Sequence, residues 1–103
     1  MAKIGSFTKT QDGFEGEVFT LAHTFKATLV RIPTTTADAP QYRAMAGRAD
    51  IGAAWEKRAN GSGEIYLSVS FDDVSFANPI TGNLVTADGE NYDLLWSRPR
   101  PKH

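Results

Sequence analysis

Apolar and polar residues alternate along most of this chain in short runs, broken by Gly, Asn, Asp and Pro. Successive side chains on a strand point to opposite faces, so this alternation predicts half-buried β-strands. The cleanest example is "EIYLSVSF" at 64–71. There Ile65, Leu67, Val69 and Phe71 share one face, and Tyr66, Ser68 and Ser70 share the other. The same reading predicts strands over 4–9, 14–21, 25–32, 42–46 and 50–57, and a final hairpin joining 83–85 to 92–96. No stretch of eleven residues holds the i, i+3, i+4, i+7 apolar pattern of an amphipathic helix together with its caps.

The breaks carry turn signals. Asp12-Gly13 reads as the positive-φ pair of a hairpin. Gly16, inside the second run, reads as a bulge or a close backbone approach. Pro33 ends the third run because it has no N–H for a ladder. "ANGSG" at 59–63 and Gly89 read as glycine turns. Short connections imply antiparallel pairing, since parallel neighbours need a crossover of about a dozen residues. The predicted fold is therefore all-β: one small antiparallel domain of about seven or eight short strands, as a bent sheet, barrel or sandwich, with little or no helix. The core is expected around Phe14 with Phe19, Trp55 with Phe71, and Leu94 with Trp96, because each large ring buries ~150–250 Å². On that expectation Trp55→Ala costs ~3–5 kcal/mol.

Composition narrows the class. A chain of 103 residues suits one domain. Residues 1–97 read as that domain, and "RPRPKH" at 98–103 as an extended basic tail. Without cysteine there is no disulfide, thiolate ligand or cysteine nucleophile. The opening "MAKIGSFTKTQDGFEG" has no apolar signal-peptide core, and no apolar run reaches ~18 residues, so a cytoplasmic protein without membrane contact is expected. The net charge of −1 hides an asymmetry: residues 64–97 hold Glu64, Asp72, Asp73, Asp88, Glu90 and Asp93 and no Lys or Arg. The uniformly basic footprint of a duplex-DNA binder is missing.

Candidate chemistry is sparse. Asp72-Asp73 resembles a carboxylate pair, but neighbours on a strand face opposite ways and cannot easily share a metal or a proton. The pattern favours a strand end whose carboxylates accept from the next backbone N–H groups. The histidines are His23, in the turn "LAHTF", and His103, and no nucleophile elbow or paired-histidine zinc spacing accompanies them. "GSG" at 61–63 opens no helix and lacks a P-loop lysine. No catalytic, cofactor-binding or metal-binding residue is assigned, and neither an enzyme, a cofactor nor a small-molecule substrate is expected. Two surfaces remain. Arg43, Arg48, Lys57 and Arg58 fall in or beside two neighbouring strands, with Tyr42 and Tyr66 expected nearby, and the set suits nucleic acid, with rings for bases and cations for phosphates. The plainer reading is that these cations keep an edge strand soluble. Glu64, Asp72 and Asp73 suit an acidic protein contact.

The stretches "MAKIGSFTKTQDGFEGEVFTL", "APQYRAMAGRADIGAAWEKR", "YLSVSFDDVSFANPI" and "LLWSRPRP" together resemble a family of small bacterial proteins known as domain of unknown function 736. The resemblance runs in order over nearly the whole chain. It implies an origin on plasmids and integrative elements, and it supplies no functional residues. Where the family usually shows "DDPSF", this chain has Val74 in place of the proline, which removes a rigid turn from that point. The expectation is a non-catalytic binding module, an accessory protein of a mobile genetic element that works by contact with another protein or with a second copy. The alternative is a β-barrel binding single-stranded nucleic acid through the basic-aromatic residues. Near-zero charge and open strand edges favour protein contact.

Overall fold

The two faces implied by the alternation are the inside and outside of a closed barrel. The computed structural model describes residues 2–33, 39–86 and 88–96. Within them eight antiparallel strands follow one another around the barrel in chain order: β1 (Ala2–Lys9), β2 (Gly13–Phe19), β3 (Thr24–Arg31), β4 (Tyr42–Ala46), β5 (Ala49–Arg58), β6 (Ile65–Phe71), β7 (Ile80–Thr86) and β8 (Asn91–Trp96). The last strand returns to the first, with Thr8 opposite Asn91 and Ala2 opposite Trp96. The expected all-β class is met, and of the three architectures it is the barrel. Closure leaves no strand edge among the described residues, so the edge-extension route that favoured protein contact is not available to the folded barrel. No described helix is long and apolar enough to cross a membrane. The proposed tail, 98–103, lies outside the described residues, as does the middle of the loop at 33–40.

Up-and-down order sends alternate connections to opposite ends. One end, the upper rim, carries the β1–β2, β3–β4, β5–β6 and β7–β8 connections. The lower rim carries the other three.

The interior is filled by a few bulky side chains set against very small ones. Phe7, Phe71, Leu29, Leu84 and Leu94 are fully buried, and Ala27, Ala44 and Ala54 lie among them. Alternation of large and small inward residues is how an eight-stranded barrel closes on a solid core. Gly16 makes the principle concrete. Its expected close approach is real: a Cβ there would lie 2.0 Å from the Ser6 carbonyl oxygen and 2.6 Å from the Phe7 Cα. The pairing on both sides of Gly16 stays regular, so it is not a bulge.

Leu67, Val69 and Phe71 are buried as predicted, while Ile65, on the same face, emerges exposed at the upper rim. Four other expectations are corrected. Trp55 is half-buried on the outer wall, opposite Ser68, not in the core. The cause is a register shift: Ala44 pairs with Gly52 but Met45 with Asp50, so Ile51 is an extra residue on β5. Ile51 and Ala54, three apart, are therefore both buried, and Trp55 falls on the outside. Phe19 is 39% exposed because it lies an odd number of residues from the buried Phe14. Trp96 is half-buried while Leu94 is in the core. At the first hairpin no non-glycine residue has positive φ and Gly13 is extended, so Asp12-Gly13 is not the predicted pair. The turn spans Thr10–Asp12, closed by the Thr10 N–H donating to the Gly13 carbonyl at 2.8 Å.

Candidate functional site

Residues at the upper rim converge most closely. The strands β1, β3 and β5 each end on a cation: Lys9, Arg31 and Arg58. Strand ends of the same direction share a rim, so the topology gathers these three, with Lys57, around one mouth. Its walls are aromatic. Phe14 packs edge-on against Tyr92, with centroids 4.8 Å apart, and against Tyr42 at 5.5 Å. Such edge contacts set the ring planes and hold a rigid floor.

Arg31 is the best-defined group there. Its Nη1 donates to the Tyr42 hydroxyl at 3.1 Å, and the guanidinium lies 5.6 Å from the Tyr42 ring centroid. The same nitrogen reaches the Glu56 carboxylate at 3.4 Å. Tyr42 is only 7% exposed, so its ring belongs to the core and only its hydroxyl serves the mouth. Lys9, Arg31, Glu56, Tyr66 and Tyr92 line a hollow of about 230 Å³ floored by Phe14 and Leu67. A smaller hollow of about 140 Å³ lies beside it under the β1–β2 turn and shares Lys9, Arg31 and Tyr42. Burial raises the Tyr92 phenol above its ordinary value, with added effect from Tyr42 and the charge of Asp88, so the ring stays neutral.

Carboxylates share this rim, but two are already engaged. Asp88 accepts the Asn91 N–H at 2.8 Å and the Glu90 N–H at 2.9 Å. These bonds, with that of the Asn91 side chain, lower its pKa to about 2. Glu56 is held by Arg31.

The residues expected to bind nucleic acid are only partly brought together. Tyr42, Lys57, Arg58 and Tyr66 lie at or beside the upper rim, and Lys57 and Tyr66 are cross-strand partners. Arg58 donates to the Gly63 carbonyl at 2.8 Å and thereby closes its own turn. Arg43 points outward and pairs with Asp50 at 3.3 Å. Arg48 stands in the β4–β5 turn at the opposite rim. The acidic trio is split likewise: Glu64 is at the upper rim, and Asp72 and Asp73 are at the lower. Asp73 does what a strand-ending aspartate is expected to do. Its carboxylate accepts from the Ser75 hydroxyl and, at 3.0 Å, from the Ser75 N–H, which together lower its pKa.

Lys9, Phe14, Arg31, Glu56 and Tyr92 were missed as mouth residues. A signal was present: in a strict up-and-down order, cations ending alternate strands must meet. At the lower rim the β6–β7 connection folds inward, so that Phe76 stacks on His23 at 4.5 Å and on Phe25 at 5.7 Å. The cleft left there is about 330 Å³ and mainly apolar or small-walled. Among the described residues no three His, Asp or Glu side chains gather to hold a metal ion.

A family model described as "Protein of unknown function (DUF736)" matches residues 3–99. No curated protein and no solved structure matches the chain.

Proposed function

Because the chain belongs to the DUF736 family, described only as of unknown function, we propose from the geometry that it is a non-catalytic binding module whose upper rim engages single-stranded nucleic acid. The reading carries with it a cytoplasmic accessory role on a mobile genetic element. One observation supports it above the rest: Lys9, Arg31 and Arg58 end the alternate strands β1, β3 and β5, with Lys57 next to Arg58, at the rim that also holds Tyr66 and Tyr92. Cations follow phosphates, and a base stacked on an accessible ring contributes ~1–3 kcal/mol.

The carboxylates of the same rim keep the footprint small. Two to three phosphates neutralised give a slope of log affinity on log salt of about −1.4 to −2.1, at about −0.7 per phosphate. The test is fluorescence anisotropy with a labelled oligonucleotide. Binding at low salt with that slope is expected, weakened by Lys57→Glu and Arg58→Glu and unchanged by Arg48→Glu at the other rim. No binding at low salt removes the reading.

Protein contact is a second reading, favoured by a different observation. On the outer wall of β5–β8, Trp55, Val85 and Leu95 are half-buried and occupy nearby register positions, with Tyr66 where this wall meets the upper rim. Aromatic residues dominate protein interfaces. With the strand edges closed, a second copy of the chain would dock through this wall. Sedimentation that depends on concentration, and is lost in Val85→Asp, supports this reading. A monomer at all concentrations counts against it.

A further inference from the structure

We propose that the upper-rim hollow is a blind seat for a single nucleotide, with its terminal phosphate held by Lys9 and Arg31 above the Tyr42 hydroxyl. This rests on the reading that the upper rim engages nucleic acid. Three observations carry it. First, the hollow has a floor. Phe14, locked edge-on between Tyr42 and Tyr92, and the buried Leu67 close it, and the barrel below is packed solid. A strand cannot thread through, so the site admits a chain end or one free nucleotide. Its volume of about 230 Å³, below the ~300–1,000 Å³ that take a whole drug-sized ligand, leaves room for one base and its sugar, with the phosphate outside it toward the neighbouring hollow.

Second, both cations line the partition between two hollows. The two neighbouring hollows share Lys9, Arg31 and Tyr42. An anion at that partition touches both cations, while its attached ring system occupies the larger hollow beside Tyr66 and Tyr92. Third, Arg31 is set in advance and incompletely engaged. Tyr42 orients its guanidinium from below through the hydroxyl and the ring face. Its only ion pair among the described residues is one 3.4 Å contact to Glu56, with the arginine side chain 62% exposed. A phosphate offers the planar fork two short charge-assisted bonds in place of that long one. Tyr92, an uncharged phenol, puts no charge against it.

The experiment compares the same short oligonucleotide phosphorylated at its 5′ end, at its 3′ end, or at neither, with adenosine monophosphate, adenosine and inorganic phosphate as small probes. The whole chain is observed by ¹⁵N NMR. The expected result is that one phosphorylated end binds about tenfold tighter or more than the unphosphorylated strand. The preference should disappear in Arg31→Gln and in Lys9→Ala, both exposed positions whose spectra report that the fold is kept. Adenosine monophosphate should move the amides around Lys9, Gly13 and Arg31, and adenosine alone should not. Equal binding of all three oligonucleotides, insensitive to Arg31→Gln, overturns the seat while leaving rim binding intact. Inorganic phosphate binding as tightly as the nucleotide overturns it too. If the mononucleotide binds through Arg31 but no oligonucleotide does, the seat holds for a free nucleotide and the strand-binding reading falls.

Discussion

At Gly16 a single methyl group would drive the β1 backbone off β2, because the nearest atoms are the Ser6 carbonyl and the Phe7 Cα rather than the tips of flexible side chains. Gly16→Ala is therefore expected to cost at least about 2 kcal/mol, read as a lowered urea midpoint at unchanged slope. The aromatic positions separate just as clearly. Phe71 is 1% exposed, and Phe71→Ala should cost about 3–5 kcal/mol. Trp55 sits only partly buried on the outer wall, and Trp55→Ala should cost about 1–2 kcal/mol, because part of its surface stays in water in the fold. Equal costs for the two would put the indole back in the core. The face of Phe71 was legible because β6 alternates without interruption. That of Trp55 was not, because the extra residue Ile51 inverts the count, and an insertion in one strand shows only against its partner.

The elements themselves were largely readable. Predicted runs and observed strands agree within a few residues, as at β4 and β6, because alternation and turn residues are local properties. Strand β7 begins at Ile80, three residues before the predicted run at 83–85, since "ITGNLVT" has too few apolar residues to alternate visibly. The β7–β8 turn makes its own prediction. Asp88 is more acidic in the fold than its ordinary 3.8, at about 2, because backbone N–H groups of Asn91 and Glu90 hold its charged form. A group whose pKa is lowered by folding stabilises the fold above its unfolded value and loses that contribution as pH falls through the folded one. The melting temperature should therefore fall more steeply from about pH 4 to about pH 2 in the parent than in Asp88→Asn. Parallel curves for the two proteins would show that the turn does not bind its aspartate in preference to the unfolded chain.

Across the whole molecule, closure is the governing event. The β1–β8 ladder joins residues from opposite ends of the described chain, so it forms only against the entropy of closing nearly all of it. Removing residues 91–103 should leave β1 and β7 as open edges. Light scattering after gel filtration is then expected to show larger assemblies than the full chain forms. A folded monomer from the shortened chain would mean that β8 is dispensable. Local pattern within the sequence determined the all-β class, most strand positions, the glycine turns and the fate of Asp73, because each depends on neighbours a few residues away. Only the tertiary structure decided that the sheet closes, that Trp55 faces out, that Arg48 stands at the far rim from Lys57, and that Lys9, Arg31 and Tyr42 line the same hollows. Those relations depend on strand order and register, which are set by the joint packing of all eight strands around one core.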